Sequence, residues 1–178
     1  MKKSLTTFLI IAAASLALGF RQAPPAGWSR FTSEEGRFSV SMPGPDAPKD
    51  QPTTKTDPKF GSYTTHLLMK KGDKGLFLAG WVDYAPGVQV NVQGELAANR
   101  DNFIKGVKAR LLSERPVTLD GHPGIEFTAE SDQASFRSRV YVVGQRPYQL
   151  IAVTFKGFDD SASVNHFFSS FQLKRTDK

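Results

Sequence analysis

The 178-residue chain has no cysteine. This excludes a disulfide framework, thiolate chemistry and attachment to lipid through a cysteine; Phe20 stands where a lipidation motif would need one. Histidine is scarce too: His66, His122 and His166 are scattered, with no HxH or HExxH spacing. A metal centre would have to gather its ligands from distant segments, so neither a metal nor a cofactor is expected. The chain also lacks a nucleophile elbow, a phosphate-binding P-loop, a dinucleotide fingerprint and a calcium loop. Its neighbouring carboxylates, Glu34–Glu35 and Asp159–Asp160, fall in a turn and at a helix start. Neither position makes carboxylates converge in a cleft, as acid–base work requires. No catalytic residue is expected.

Long apolar runs are nearly absent. The exception is the start, "MKKSLTTFLIIAAASLALG", where Lys2 and Lys3 precede a short apolar stretch from Phe8 to Ala14. Small residues follow at Ser15, Ala17 and Gly19, the pattern of a secretory signal peptide over 1–19 cleaved after Ala17 or Gly19. The uncharged stretch from Ser4 to Phe20 has 17 residues, the lower limit for a spanning helix, so membrane attachment is expected only if this segment stays uncleaved. The remainder is expected in the periplasm or outside the cell. Without Lys2 and Lys3 it carries 21 basic against 17 acidic residues, a net charge of +4. That suits an acidic surface or an acidic envelope protein. It is too diffuse for a nucleic-acid interface.

After a linker over 20–27, residues 28–178 read as one domain. Phe38, Val40 and Met42 alternate with polar residues, a half-buried strand that pairs with Trp28 to Thr32 across "SEEG". Positions 43–61 hold five prolines and no apolar periodicity, which predicts an extended surface loop. "SYTTHLLMKK" and "LFLAGWVDYA" flank a turn and form a hairpin, the second strand apolar on both faces and hence central. From Gly94 to Arg110 the period changes. Leu96, Phe103, Ile104, Val107 and Leu111 share a helical stripe, and Gly106 is expected to mark close packing on a sheet. Four strands follow, ending in "YQLIAVTF"; then Val164, Phe167, Phe168 and Phe171 repeat at helical spacing, capped by Asp159 or Asp160.

"LDGHPGIEF" places His122 between acidic residues, yet Asp120, Gly121, Pro123 and Gly124 are turn formers, so a turn is expected there rather than an active site. Arg137 and Arg139 lie on one face of a strand, with Arg146 in the next turn. These three are the candidate partner-binding residues, suited to an acidic group. The competing reading is a structural cross-strand pair: a hairpin about Asp132 places Glu126 near Arg139.

Together "GRFSVSMPG", "LDGHPGIEF", "RVYVVGQRPYQL" and "FFSSFQL" resemble the PsbP-like (Mog1/PsbP-like) superfamily, especially its exported bacterial members of unknown function. The resemblance runs from about Trp28 to Leu173 and implies an α+β fold, an α/β/α sandwich with a twisted antiparallel sheet flanked by helices. Photosystem accessory proteins of the thylakoid lumen and a partner of a small GTPase belong to that superfamily. The resemblance therefore implies accessory binding without catalysis and carries over no functional residue. A small exported hydrolase or ligand-binding domain is the alternative.

Overall fold

The computed structural model describes residues 24–58 and 61–174. The expected signal peptide, 1–19, and positions 20–23 of the linker lie outside the described residues. The strands are β1 (Trp28–Ser33), β2 (Phe38–Pro43), β3 (Thr53–Asp57), β4 (Gly61–Lys71), β5 (Gly75–Tyr84), β6 (Arg110–Leu119), β7 (His122–Glu130), β8 (Ala134–Val143), β9 (Arg146–Phe155) and β10 (Gln172–Leu173). Helix α1 (Val92–Val107) lies between β5 and β6, and α2 (Ser161–Ser170) between β9 and β10.

Seven strands form one antiparallel sheet in the order β3-β4-β5-β9-β8-β7-β6, and β1-β2-β10 form a second, smaller sheet. Short turns join β4 to β5 and β6 through β9 in succession, and short turns enforce antiparallel pairing. The crossover is α1, which lets β6 start at the far edge and the chain return inward to β9 beside β5.

Alternation along β8 separates the faces. Val140 and Val142 pack with Leu96 of α1, whereas Tyr141 between them stacks against Phe171 after α2. Neighbouring strand residues point to opposite faces, so the two helices cover opposite sides of the large sheet. The α2 side is the larger core. Phe38, Val40 and Met42 of β2, Phe77 and Trp81 of β5, and Phe167 of α2 meet there with almost no exposure. The architecture is α+β, as expected.

Several local expectations need correction. Positions 43–61 are not loop throughout, because β3 pairs with β4 along its whole length. β3 is an edge strand whose residues Thr53 to Thr56 are exposed, so it shows no hydrophobic alternation. Helix α1 starts at Val92, capped by Asn91, whose side chain accepts from Gly94 N at 2.8 Å. It ends at Lys108, in the left-handed region at φ 51°. Leu111 is therefore an exposed residue of β6 rather than part of the helical stripe. Gly106 packs against nothing, since a Cβ there would meet no atom within 4 Å. The α2 stripe is as read, with Val164, Phe167, Phe168 and Phe171 buried. Asp160 occupies the cap position without a side-chain bond, while Asp159 accepts from Ser161 N at 3.0 Å.

Candidate functional site

The segment "LDGHPGIEF" forms the β6–β7 hairpin. Asp120 and Gly121, with φ of 49° and 82°, make its two-residue turn. His122, Pro123 and Gly124 already belong to β7. Gly124 is there for close approach and not for a positive φ. A Cβ at this position would come within 2.4 Å of Val140 O and 2.5 Å of Tyr141 Cδ1.

Arg137 and Arg139 sit on the α2 face of β8. Register places Glu126 of β7 directly opposite Arg139. Arg139 Nε donates to Glu126 Oε2 at 2.6 Å and Arg137 Nη2 donates to the same oxygen at 2.8 Å. Arg115 of β6 completes the group, donating to Oε1 through Nε and Nη2 at 3.0 and 2.6 Å. Both β8 guanidiniums lie over the Phe168 ring, about 5 Å from its centroid. Arg137 also donates to Asn165 Oδ1. Burial alone would raise the Glu126 carboxyl, but the three arginine hydrogen bonds outweigh it and hold the group at about 2. Sequence reasoning found the Arg139 half of this arrangement. Arg115, two strands from Arg139, left no local signal.

Arg146 stands apart from that cluster, at the β8–β9 turn. It pairs with Asp83 of β5 and donates to the backbone carbonyl of Glu35 at 2.8 Å. It thereby joins the β1–β2 turn to the large sheet. Tyr148 makes a similar link, its buried hydroxyl donating to Gly36 O at 3.0 Å. Beside these contacts opens a cleft of about 760 Å³, with Arg37, Asp83, Asp120, His122, Arg146 and Lys174 on its walls. Lys174 pairs with Glu34.

Arg37 differs from the other cations of the cleft. It closes the Ser33–Phe38 turn with φ of 56°, a region that L-residues with a Cβ enter at a cost. Its exposed guanidinium makes no hydrogen bond, ion pair or ring contact among the described residues. The sequence did not single out Arg37, because its backbone geometry and its lack of an internal partner both arise only on folding.

Behind the cleft wall His66 of β4 is buried, its ring stacked 4.4 Å from Trp81. Its Nδ1 lies 2.6 Å from Asp50 Oδ2, and Asp50 Oδ1 accepts from Leu67 N at 3.1 Å. Asp83 Oδ2 and Glu35 Oε1 lie 3.5 and 4.0 Å from the other ring nitrogen, Nε2. These four residues come from β4, β5, a turn and the loop before β3. No spacing rule could have connected them. Among the described residues, no helix is long and apolar enough to cross a membrane.

No protein-family model matches the sequence, and no curated protein matches it. Among solved structures, the chain is similar to the solution structure of cyanobacterial PsbP (CyanoP) from Synechocystis sp. PCC 6803. Identity is 9%, the TM-score is 0.55, and the match spans 85% of this chain and 95% of that one. A crystal structure from Bacteroides thetaiotaomicron VPI-5482 is 12% identical over 82% of this chain and 48% of its own, with a TM-score of 0.38. An identity of 9% speaks to architecture alone, and the architecture that the CyanoP match supports is the PsbP-like fold expected from the sequence.

Proposed function

We propose that the protein is an exported accessory or assembly-type binding protein without catalytic activity, and that the cleft beside Arg37 and Arg146 receives an acidic group of an envelope protein. The observation that carries this reading is Arg37. A left-handed backbone costs an L-residue about 1–2 kcal/mol relative to glycine, and while the Arg37 backbone bonds to Glu34 and Lys174, its guanidinium makes no hydrogen bond or ion pair among the described residues. Strain retained without an internal partner is characteristic of recognition sites. A free guanidinium presents a planar fork of donors that fits a carboxylate or phosphate. The PsbP-like fold adds support at the level of architecture, and the Lys2, Lys3 and Phe8 to Ala14 pattern supports export.

Arg137 and Arg139 suit partner contact less well than Arg146 does. An incoming anion would have to compete with Glu126 for both of them. Arg146 is also paired, but it lines an open cleft together with a free arginine.

The test is crosslinked capture by the mature chain from its own cell envelope, with Arg37→Glu beside the unaltered protein. The proposal expects one abundant protein to be captured and to be lost with Arg37→Glu, at unchanged thermal stability. Capture unaffected by the variant would remove Arg37 from the interface. Absence of any specific protein would favour a small-molecule ligand for the cleft.

A further inference from the structure

The sheet face beside α1 is left half covered. Strand β5 is apolar on both faces, the pattern of a strand sheltered on two sides. One side is sealed: Phe77, Ala79 and Trp81 are at most 2% exposed in the larger core. On the other, Leu76 and Leu78 stay half-buried and belong to none of the three core clusters. Lys71, Leu76, Val153 and Phe136 form one cross-strand row from β4 to β8, and Met69, Leu78, Ile151 and Ser138 form the next. Residues directly opposite share a face, and Phe136 meets Phe103 of α1, so this is the α1 face. Helix α1 lies on β7 and β8. Toward β5 and β4 the rows run out from under it, ending at Met69, which is 42% exposed.

We infer that this open face docks one amphipathic helix of a partner protein, apolar along one stripe and acidic along one flank. Width sets the element. Strands β4, β5 and β9 are neighbours, and three strands at about 4.8 Å spacing span roughly 10–14 Å, the breadth of one helix with its side chains. The floor, Leu67, Met69, Leu76, Leu78 and Val153, is apolar and suits a stripe of helical period. None of these five residues lines the cleft, so the two surfaces are independent.

The two rims set the flanks. Lys55 of β3, opposite Tyr63, and Lys71 of β4 stand on the floor's side of the sheet along its outer rim. Both are exposed and make no hydrogen bond or ion pair among the described residues, so they suit acidic residues on the incoming helix. The inner rim is the flank of α1 that faces β5, marked by Glu95, which accepts from the Tyr84 hydroxyl at 3.0 Å. Asn99 and Gly106 follow Glu95 on that flank by about one and three helical turns. A Cβ on Gly106 would meet nothing within 4 Å, and a bare flank there lets a second helix approach to the roughly 8–10 Å of packed helices. A second copy of this chain does not fit the description. Both of its helices turn their apolar stripes to the sheet, and the outward side of α1 presents Ala98, Asp101 and Lys105. Nor can two such faces meet directly, because α1 stands about 10 Å proud of each.

The experiment titrates the mature chain with three synthetic helical peptides of about 14 residues, long enough at 1.5 Å per residue to span the floor. One carries leucine at helical spacing and glutamate along one flank, the second has lysine in place of glutamate, and the third is a scramble of the first. Binding is read by fluorescence anisotropy and by NMR of the methionine and leucine methyl groups. The glutamate peptide is expected to bind at least tenfold more tightly than the other two and to shift the Met69 and Leu78 signals. Lys55→Glu combined with Lys71→Glu, both at exposed positions, is expected to reverse the preference between the glutamate and lysine peptides. Met69→Glu should weaken binding tenfold or more at unchanged thermal stability, and Arg37→Glu should leave it unchanged. No binding, equal binding of the scramble, a charge preference that survives the double variant, or sensitivity to Arg37→Glu would each overturn the site. Methyl signals at Met69 and Leu78 that move with protein concentration alone would overturn it in favour of a second copy.

Discussion

Glu126 and Arg139 face each other across β7 and β8, with Arg139 Nε 2.6 Å from Glu126 Oε2. Arg137 and Arg115 converge on the same carboxylate, so one buried negative charge is surrounded by three guanidiniums. The group ties three adjacent strands together on the face that α2 covers, and its polar atoms are satisfied where Phe168 caps them. Like-charged arginines at this spacing repel one another unless the carboxylate is present.

Replacing Glu126 tests that account. Glu126→Ala should destabilise the fold by about 2–3 kcal/mol, below the usual cost of breaking a fully buried pair because Arg115 reaches water. The pH dependence has a definite sign. Because the folded carboxyl titrates at about 2, below its ordinary 4.5, its stabilisation is complete above the ordinary value and is lost as pH falls from there through about 2. Denaturant midpoints measured across that window should fall more steeply for the unaltered protein than for Glu126→Gln.

His166 gives the complementary case. It is buried in α2 against Trp28, with Nε2 lacking a hydrogen-bond partner among the described residues, and burial lowers its pKa below the ordinary 6.5. A base with a depressed folded pKa contributes no penalty above its ordinary value and destabilises the fold as pH drops below it. His166→Phe keeps the ring contact and removes the orphaned nitrogen. Its stability should match or exceed that of the unaltered protein at pH 7 and fall less between pH 6.5 and the folded pKa.

Two glycines should respond in opposite directions. Gly124→Ala places a methyl group 2.4 Å from Val140 O, so β8 must shift and the protein should lose about 1–3 kcal/mol. Gly106→Ala meets nothing within 4 Å inside an exposed turn of α1 and should gain about 1 kcal/mol. Thermal melts of the two variants are sufficient to read both signs.

Arg37→Gly should raise stability by about 1 kcal/mol, because glycine enters the left-handed region without strain. The same variant should lose partner capture. A gain in one property with a loss in the other would distinguish a recognition residue from a structural one.

Strands with one buried face were legible because alternation is a local signal. Phe38, Val40 and Met42 carried it, and the turn at Asp132 set the register that brings Glu126 opposite Arg139. β3 was not legible, since "TTKTD" at a sheet edge leaves all but its last residue exposed and has no apolar residue to alternate. Leu111 satisfied helical spacing, yet the left-handed cap at Lys108 had already ended the helix. The cleft and the His66 group depended on tertiary assembly. Glu35 reaches Asp50, His66 and Asp83 only because the small sheet docks on the large one, and Arg37 differs from the other exposed arginines in its φ and in having no hydrogen bond or ion pair among the described residues, neither of which is a local sequence signal.

The most direct measurement of the binding account is site-specific photocrosslinking in the cell envelope. A photoreactive residue would replace Pro86 on the cleft rim in one protein and Lys105 on the exposed side of α1 in another. The account predicts a single crosslinked adduct from position 86, reduced severalfold when Arg37→Glu is added, and none from position 105. An adduct from position 105 alone, or one from position 86 that is indifferent to Arg37→Glu, would contradict it.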